Sequence, residues 1–592
     1  MAEKKKIISG FYNWTFLAIV VVAVILINIA SSFIYRRIDM TEDQRFSLAQ
    51  GTQTFLENTK DLKGRVNLKI YLEGNLPSEI KHFRDAVEDK LKEFKLYAGD
   101  RIEYQFIDPH VGTDDEKEAL FQTLFAEGKG ILPMEILYEK DGASNKMLLW
   151  PGAVIEYNGS TSNVIQLLPG SRSAKPYRMS DINQMIPNSI NNLEYMLVSS
   201  LRRATAETKK RIGFLQGHGE LEFKETQRIR SMISPYFALT DVELKDSIEA
   251  LDNIDGLIIA RPRSKFSDKD LYLIDQFVMR GGRLMCFLDN LNLNEDTLKR
   301  KGQTHTVRYE HGLDKMLFDY GLIMQDNYVM DTKCAYRIAP YAEGGRIQWF
   351  YHVLGTPTSH PISKNVENVS LPYTAEIKLP SNKEGVRLTP LLTSSSNTMV
   401  QNAPVVNMMM PLNYGENPQL AADVDNPDNR KCLAAIAEGK FTSYYKNRIV
   451  GAFANDPESG YKDESTQEGK VLLVGNGRWI ANKYDSTPDG RGGYRYRPIL
   501  DFNDLQLNED MMRLRIQHFF GNQEFFQNLT DYMMGDNSVL DIRSRQIDMH
   551  PMDKEKVFEH AAYYKIMNLL MPIGIILLLG FGMNFIRKRR YA

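Results

Sequence analysis

The stretch Gly213-Phe-Leu-Gln-Gly-His-Gly-Glu-Leu-Glu222 ends an apolar run with His218 between two glycines and Glu220 close behind. An imidazole can donate, accept or carry a proton near neutral pH. Residues of similar use follow three other apolar runs. Arg261 and Arg263 come after 256–260, Asp289 and Asn290 close 283–289, and Asn476 and Arg478 follow 470–474. If all four runs are parallel strands, these residues share the edge where open α/β sheets bind ligands, outside the strands' carboxyl ends. That rim would suit a carboxylate, a peptide end or a sugar, with an arginine forking onto an anion. A plainer reading stands beside it. Gly217 and Gly219 permit positive φ, Glu220 favours a helix N-terminus, and His218 satisfies a buried carbonyl.

The residues needed for covalent chemistry do not accompany this loop. Cys286 lies inside the apolar run 283–289, where a cysteine behaves as a small hydrophobe. Cys334 and Cys432 lack a tight strand-to-helix context, and no Gly-x-Ser-x-Gly elbow occurs. The expectation is a non-enzyme. Three widely spaced cysteines also argue against a disulfide framework or a structural zinc site, so no metal or cofactor is expected. The run Met408–Met410 cannot put three thioethers on one face of a strand and reads as core plus loop. No Gly-x4-Gly-Lys-Ser/Thr phosphate loop exists, so ATP hydrolysis belongs to another chain. A net charge of −2 gives no basic excess for nucleic acid.

The elements that must position the rim are legible from periodicity. Strands are expected at 211–215, 256–260, 283–289 and 470–474, near-continuous apolar runs that imply a parallel sheet covered on both faces. An edge strand is expected at 237–244. Helices are expected at 222–233 and 268–280, the second capped by Ser267 and closed by Gly281-Gly282, and a long one at 188–206. Upstream, alternation marks strands at 65–73 and 101–109 around a helix opened by Pro77. Runs at 130–140 and 153–159 continue as hairpins, which suggests a thioredoxin-like α/β layer without its Cys-x-x-Cys. Residues 291–450 read as a β-rich insertion or second domain, with a helix at 311–324. A flexible stretch follows near 485–498, then a helix over 509–534.

The two ends differ from everything between them. Residues 14–34 and 566–586 are uncharged and apolar, each long enough to cross the ~30 Å hydrocarbon core as a helix. Lys4–Lys6 and Arg587–Arg590 flank them, and the positive-inside tendency puts both termini in the cytoplasm. The alternative for the first is a cleaved signal peptide, against which its length speaks. Juxtamembrane residues 546–565 are expected to run helically into the second span. The organisation expected is α/β, with spans at 14–34 and 566–586 and an exterior domain over 36–185. A parallel-sheet domain over 186–290 follows, then the β-rich region 291–450, with a return to the sheet over 451–545.

The order of "DMTEDQRFSL", "FIDP", "GHGE" and "VGNGRWIAN" between two spans resembles the auxiliary family of uncharacterized ABC-type transport systems. Within it, the chain looks like gliding-motility components of the GldG type. One departure is 475–479, where that pattern implies an acid-rich exit from the strand. The resemblance implies a class I glutamine-amidotransferase-like fold for the "GHGE" domain. It also implies a periplasm-facing, non-catalytic subunit in a bacterial inner membrane, working with a polytopic permease and a separate cytoplasmic ATPase. Membrane lipid is a further expected partner, and a homo-dimer is possible on this reading. Two alternatives remain, a membrane-tethered solute or peptide receptor and a divergent amidotransferase-like hydrolase.

Overall fold

The computed structural model describes residues 47–535 with gaps at 59–61, 126–129, 141–142, 169–176, 206–208, 246, 339–342, 364–365, 404, 408–428, 448–459, 489–493, 499–508 and 515–519. It also describes 561–591 and, among the first 46 residues, 19, 21–23 and 26. The expected span at 14–34, the methionine run and juxtamembrane residues 546–560 therefore lie wholly or mostly outside the described residues.

Strand β1 (Val66–Ile70) leads through helix α1 (Ser78–Ala98) to the parallel strand β2 (Ile102–Phe106). Ile80, Phe83, Val87, Leu91 and Phe94 recur every three or four residues and are all buried, so one stripe of α1 packs on the sheet. Strands β5 (Gly152–Tyr157) and β6 (Ser160–Gln166) complete the order β2-β1-β5-β6, with β5 antiparallel to both neighbours. A separate hairpin joins β3 (Met134–Lys140) to β4 (Ala143–Leu149).

The expected helix at 188–206 is two helices, α2 (Met179–Asn191) and α3 (Leu193–Thr205). Pro187 lies inside α2. Leu193, Leu197, Val198 and Leu201 of α3 join the same core cluster as α1. These residues thus pack with the N-terminal layer, and a boundary at 186 cuts through that layer's own core.

The larger sheet begins with β7 (Arg211–Leu215), α4 (Phe223–Ile233), β8 (Ala238–Val242), β9 (Gly256–Ala260), α5 (Asp268–Met279) and β10 (Arg283–Phe287). It includes twelve strands, and its central path runs β8-β7-β9-β10 in parallel register. Alternate residues serve opposite faces. Along β10, Leu284 and Cys286 join the cluster that holds Ile274 and Phe277 of α5, while Met285 and Phe287 join the one that holds Ile229 of α4. Burial on both faces is why these strands lack polar alternation.

Residues 291–450 extend this sheet. Strands β11 (Asn327–Asp331), β12 (Cys334–Ile338), β13 (Arg346–Pro357), β14 (Val369–Pro372), β15 (Val386–Thr393) and β16 (Thr398–Asn402) lead to β17 (Cys432–Gly439). β17 pairs antiparallel with β18 (Gly469–Val474), and β18 pairs parallel with β10. The path continues β18-β17-β15-β13-β12, so these strands of the β-rich region and the parallel strands are one mixed sheet, while β11 and β16 pair antiparallel with each other outside it.

Three further expectations change. The helix at 311–324 is confined to Leu313–Asp319, and Ile323–Met324 is a short strand. The helix over 509–534 is interrupted, with Glu509–Arg513 separate from α6 (Asn522–Met533). The stretch near 485–498 forms a hairpin of β19 (Tyr484–Pro488) and β20 (Tyr494–Pro498).

Helix α7 (Ala561–Tyr591) contains an 18-residue window, Lys565–Gly582, of mean hydropathy 1.9. It is long and apolar enough to cross a membrane by length and composition.

Candidate functional site

In sequence order the five parallel strands are β7, β8, β9, β10 and β18, and in space they run 2-1-3-4-5. Successive connections leave β7 and β9 toward opposite sides, which opens a crevice at their carboxyl ends. His218 and Arg261 emerge there, three residues beyond β7 and one beyond β9.

His218 is not left free in that crevice. Its Nε2 lies 3.2 Å from Asp270 Oδ2 and its Nδ1 lies 3.3 Å from Glu220 Oε1. Its ring stacks on Phe266, with centroids 3.8 Å apart. The backbone locks the same turn. His218 N–H donates to Glu220 Oε2 at 2.6 Å, and His218 O accepts from the amides of Arg263 and Ser264, both at 2.8 Å. Arg263, itself exposed, donates from Nε to Gly219 O at 2.6 Å. The glycines stand at φ +117° and +75°, as such a turn requires. His218 thus meets two carboxylates, not the carbonyl of the plainer reading. Burial alone would lower its pKa, but Glu220 and Asp270 outweigh that and raise it.

Arg261 anchors a second group. It is buried and holds φ +54°, a conformation costly for a residue with a Cβ. Its Nε donates to Asp289 Oδ2 at 2.7 Å, while Asp289 Oδ1 accepts from Gly477 N–H at 2.6 Å. A Cβ at residue 477 would come within 2.9 Å of Arg261 Cβ, so glycine is what lets the turn after β18 approach. One carboxylate therefore ties together the turns after β9, β10 and β18.

Behind this clasp lies a cavity of about 220 Å³. Arg261, Asp289, Asn290, Asn476 and Arg478 line one wall. A second set of lining residues includes Tyr328 of β11, Tyr373 just past β14, and Phe520. His218, Glu220 and Arg263 are not among its lining residues. The structure thus divides the expected rim into a turn lock and a cavity wall. This second set escaped sequence reasoning because Tyr328 and Tyr373 arrive by long-range strand pairing and Phe520 by the docking of the segment before α6, and no local pattern marks them.

The cysteines offer little nucleophilic character. Burial raises the Cys286 thiol well above its usual pKa and pushes Cys334 up to about 12. Among the described residues, no group of three His, Cys, Asp or Glu is placed to hold a metal.

Comparison with known proteins adds four findings. The family described as "ABC-type uncharacterized transport system" matches residues 209–509, and a domain of unknown function (DUF7088) matches 42–156. An uncharacterized protein of Borreliella burgdorferi is 20% identical over 568 residues, covering 94% of each chain. The solved mmIFT52 N-terminal domain aligns at 11% identity over 55% of this chain and 98% of its own, with a TM-score of 0.31. A score that low assigns nothing to this chain.

Proposed function

Because the chain belongs to the ABC-type uncharacterized transport system family, we propose that it is a non-catalytic accessory subunit of an ABC transporter. Membership carries the accessory, transport-related role. The family match across half the chain is the observation on which the reading rests. Helix α7 adds membrane association.

The finer parts are ours. The exterior body faces the periplasm of a bacterial inner membrane, held by two spans with both termini in the cytoplasm. A polytopic permease supplies the pathway and a separate ATPase supplies the energy, since two spans are too few for a transport bundle. Strand order 2-1-3-4-5 supports an amidotransferase-like reading of the parallel strands, and the order β2-β1-β5-β6 supports a thioredoxin-like layer. Buried cysteines and a histidine already engaged by two carboxylates support the absence of catalysis. A role in gliding motility or protein secretion, as in GldG-type components, is the narrowest form of the proposal.

Affinity purification of the tagged full chain in mild detergent tests it. An ATPase carrying a phosphate loop and a multi-span permease are expected to co-elute. Recovery of the chain alone, from membranes in which both proteins are present, would sink the reading.

A further inference from the structure

We propose that the cavity between the carboxyl ends of β9, β10 and β18 and the antiparallel extension binds a small, uncharged, hydroxyl-rich molecule of single-sugar or polyol size. This goes beyond the transporter reading and does not depend on it.

Unmatched hydrogen-bonding groups carry the inference. Asn290 is 2% exposed and Asn476 1% exposed, yet among the described residues Oδ1 of each has no hydrogen-bond partner. Their amide orientations follow from their neighbours. Asn290 Nδ2 donates to Asp326 Oδ1 at 3.0 Å, and Asn476 Nδ2 donates to the carbonyl of Pro372. Reversing either amide would set oxygen against oxygen. Trp479, 5% exposed, holds an indole N–H that is also unpartnered among the described residues. Leaving three buried polar atoms unmatched is destabilising, because each gave up its hydrogen bonds to water on folding. All three residues belong to the lining of this one cavity. Two unmatched acceptors and one unmatched donor thus cluster in its wall, where a small side-chain shift would bring them to a bound molecule.

Charge decides what that is. Arg261 is neutralised by Asp289 at 2.7 Å, and Arg478 faces Glu295 at 3.4 Å. An incoming carboxylate would have to compete with Asp289 for Arg261 and sit beside two acidic side chains. An incoming ammonium would meet both arginines. A neutral hydroxyl avoids both conflicts, because it donates to an amide oxygen and accepts from an indole or guanidinium with one group. Tyr328 and Tyr373 add aromatic surface suited to the C–H faces of a ring. At about 220 Å³ the cavity falls below drug-sized sites of roughly 300–1,000 Å³, which suits one ring and not a chain. The positive φ of Arg261 fits the pattern in which strained backbone collects at binding sites.

Isothermal titration of the full chain in lipid nanodiscs tests the proposal, since maltoside detergents would themselves present sugar. The probes are glucose, galactose, ribose and myo-inositol, with galacturonate, glucosamine and glutamate as charged comparators. At least one neutral probe is expected to bind, and its charged counterparts to bind tenfold more weakly or less. Trp479→Phe keeps an aromatic ring and loses the N–H, and should weaken binding about 3- to 10-fold, the scale of one neutral hydrogen bond. Asn290→Ala should weaken it similarly, while Arg263→Ala, outside the cavity, should not. Equal melting temperatures without ligand show that the variants remain folded. The proposal fails if no neutral probe binds at millimolar concentration. It fails equally if a charged comparator binds better than its neutral counterpart, or if Trp479→Phe and Asn290→Ala both bind as the parent does.

Discussion

His218 joins three pieces of chain at a single ring: its own turn through Glu220, the first turn of α5 through Asp270, and Phe266 through stacking. Its pKa is raised in the fold, so the proton it holds contributes stability fully present below the unfolded value of about 6.5 and lost as pH rises through the folded value. Replacing it with asparagine leaves two carboxylates facing each other without a cation. His218→Asn should therefore lower the apparent melting temperature most near pH 6, with a narrower gap near pH 9. A gap that stays constant across that range would show that the ring acts by packing alone. The local half of this site was legible, because Gly-x-Gly around a histidine announces a tight turn with positive φ. Asp270 was not, since it lies 52 residues away and enters only when α5 docks beside the turn.

Helix α5 shows how capping and tertiary contact share one group. Ser267 caps it, with Asp270 N–H donating to Ser267 Oγ at 3.1 Å and Asp270 Oδ2 accepting from Ser267 Oγ at 2.6 Å. The same Oδ2 faces His218. Ser267→Ala should cost about 1 kcal/mol as a lost N-cap. Combined with His218→Asn the two losses should be non-additive, because both act through Asp270. Strict additivity in a double-mutant cycle would mean that cap and histidine are independent. Farther along α5, Asp275 is buried and accepts from Ser443 Oγ, Tyr320 O–H and Tyr444 N–H. It fixes to α5 a loop 168 residues distant. That contact belongs to the part of the fold that periodicity could not assign. The apolar strands and the capping serine of α5 are local signals. The pairing of β17 with β18, and so the fusion of the β-rich region with the parallel sheet, depends on register between distant segments. The same nonlocality hid the second set of cavity-lining residues.

At the scale of the whole molecule the two apolar ends lead to different expectations. Helix α7 carries exposed Leu569, Leu578 and Phe581 along a window with none of its residues buried, which suits a lipid surface and would be a liability in water. Its Pro572 is tolerable in a membrane helix, where neighbouring groups can satisfy the freed carbonyl. The segment 14–34 has comparable length and composition, and if uncleaved it is a second anchor of similar strength. Each span alone buries enough apolar surface to hold the chain in a membrane against a carbonate wash. Deleting 561–591 should therefore leave the chain in the membrane pellet, and deleting 1–34 should do the same. Removing both should release the body into the supernatant, still folded, because its cores are built from residues 48–534. Release on deletion of 561–591 alone would mean that the first segment is no anchor. The two-span topology, with its cytoplasmic termini, would then fall, while the assignment to the transport family would stand.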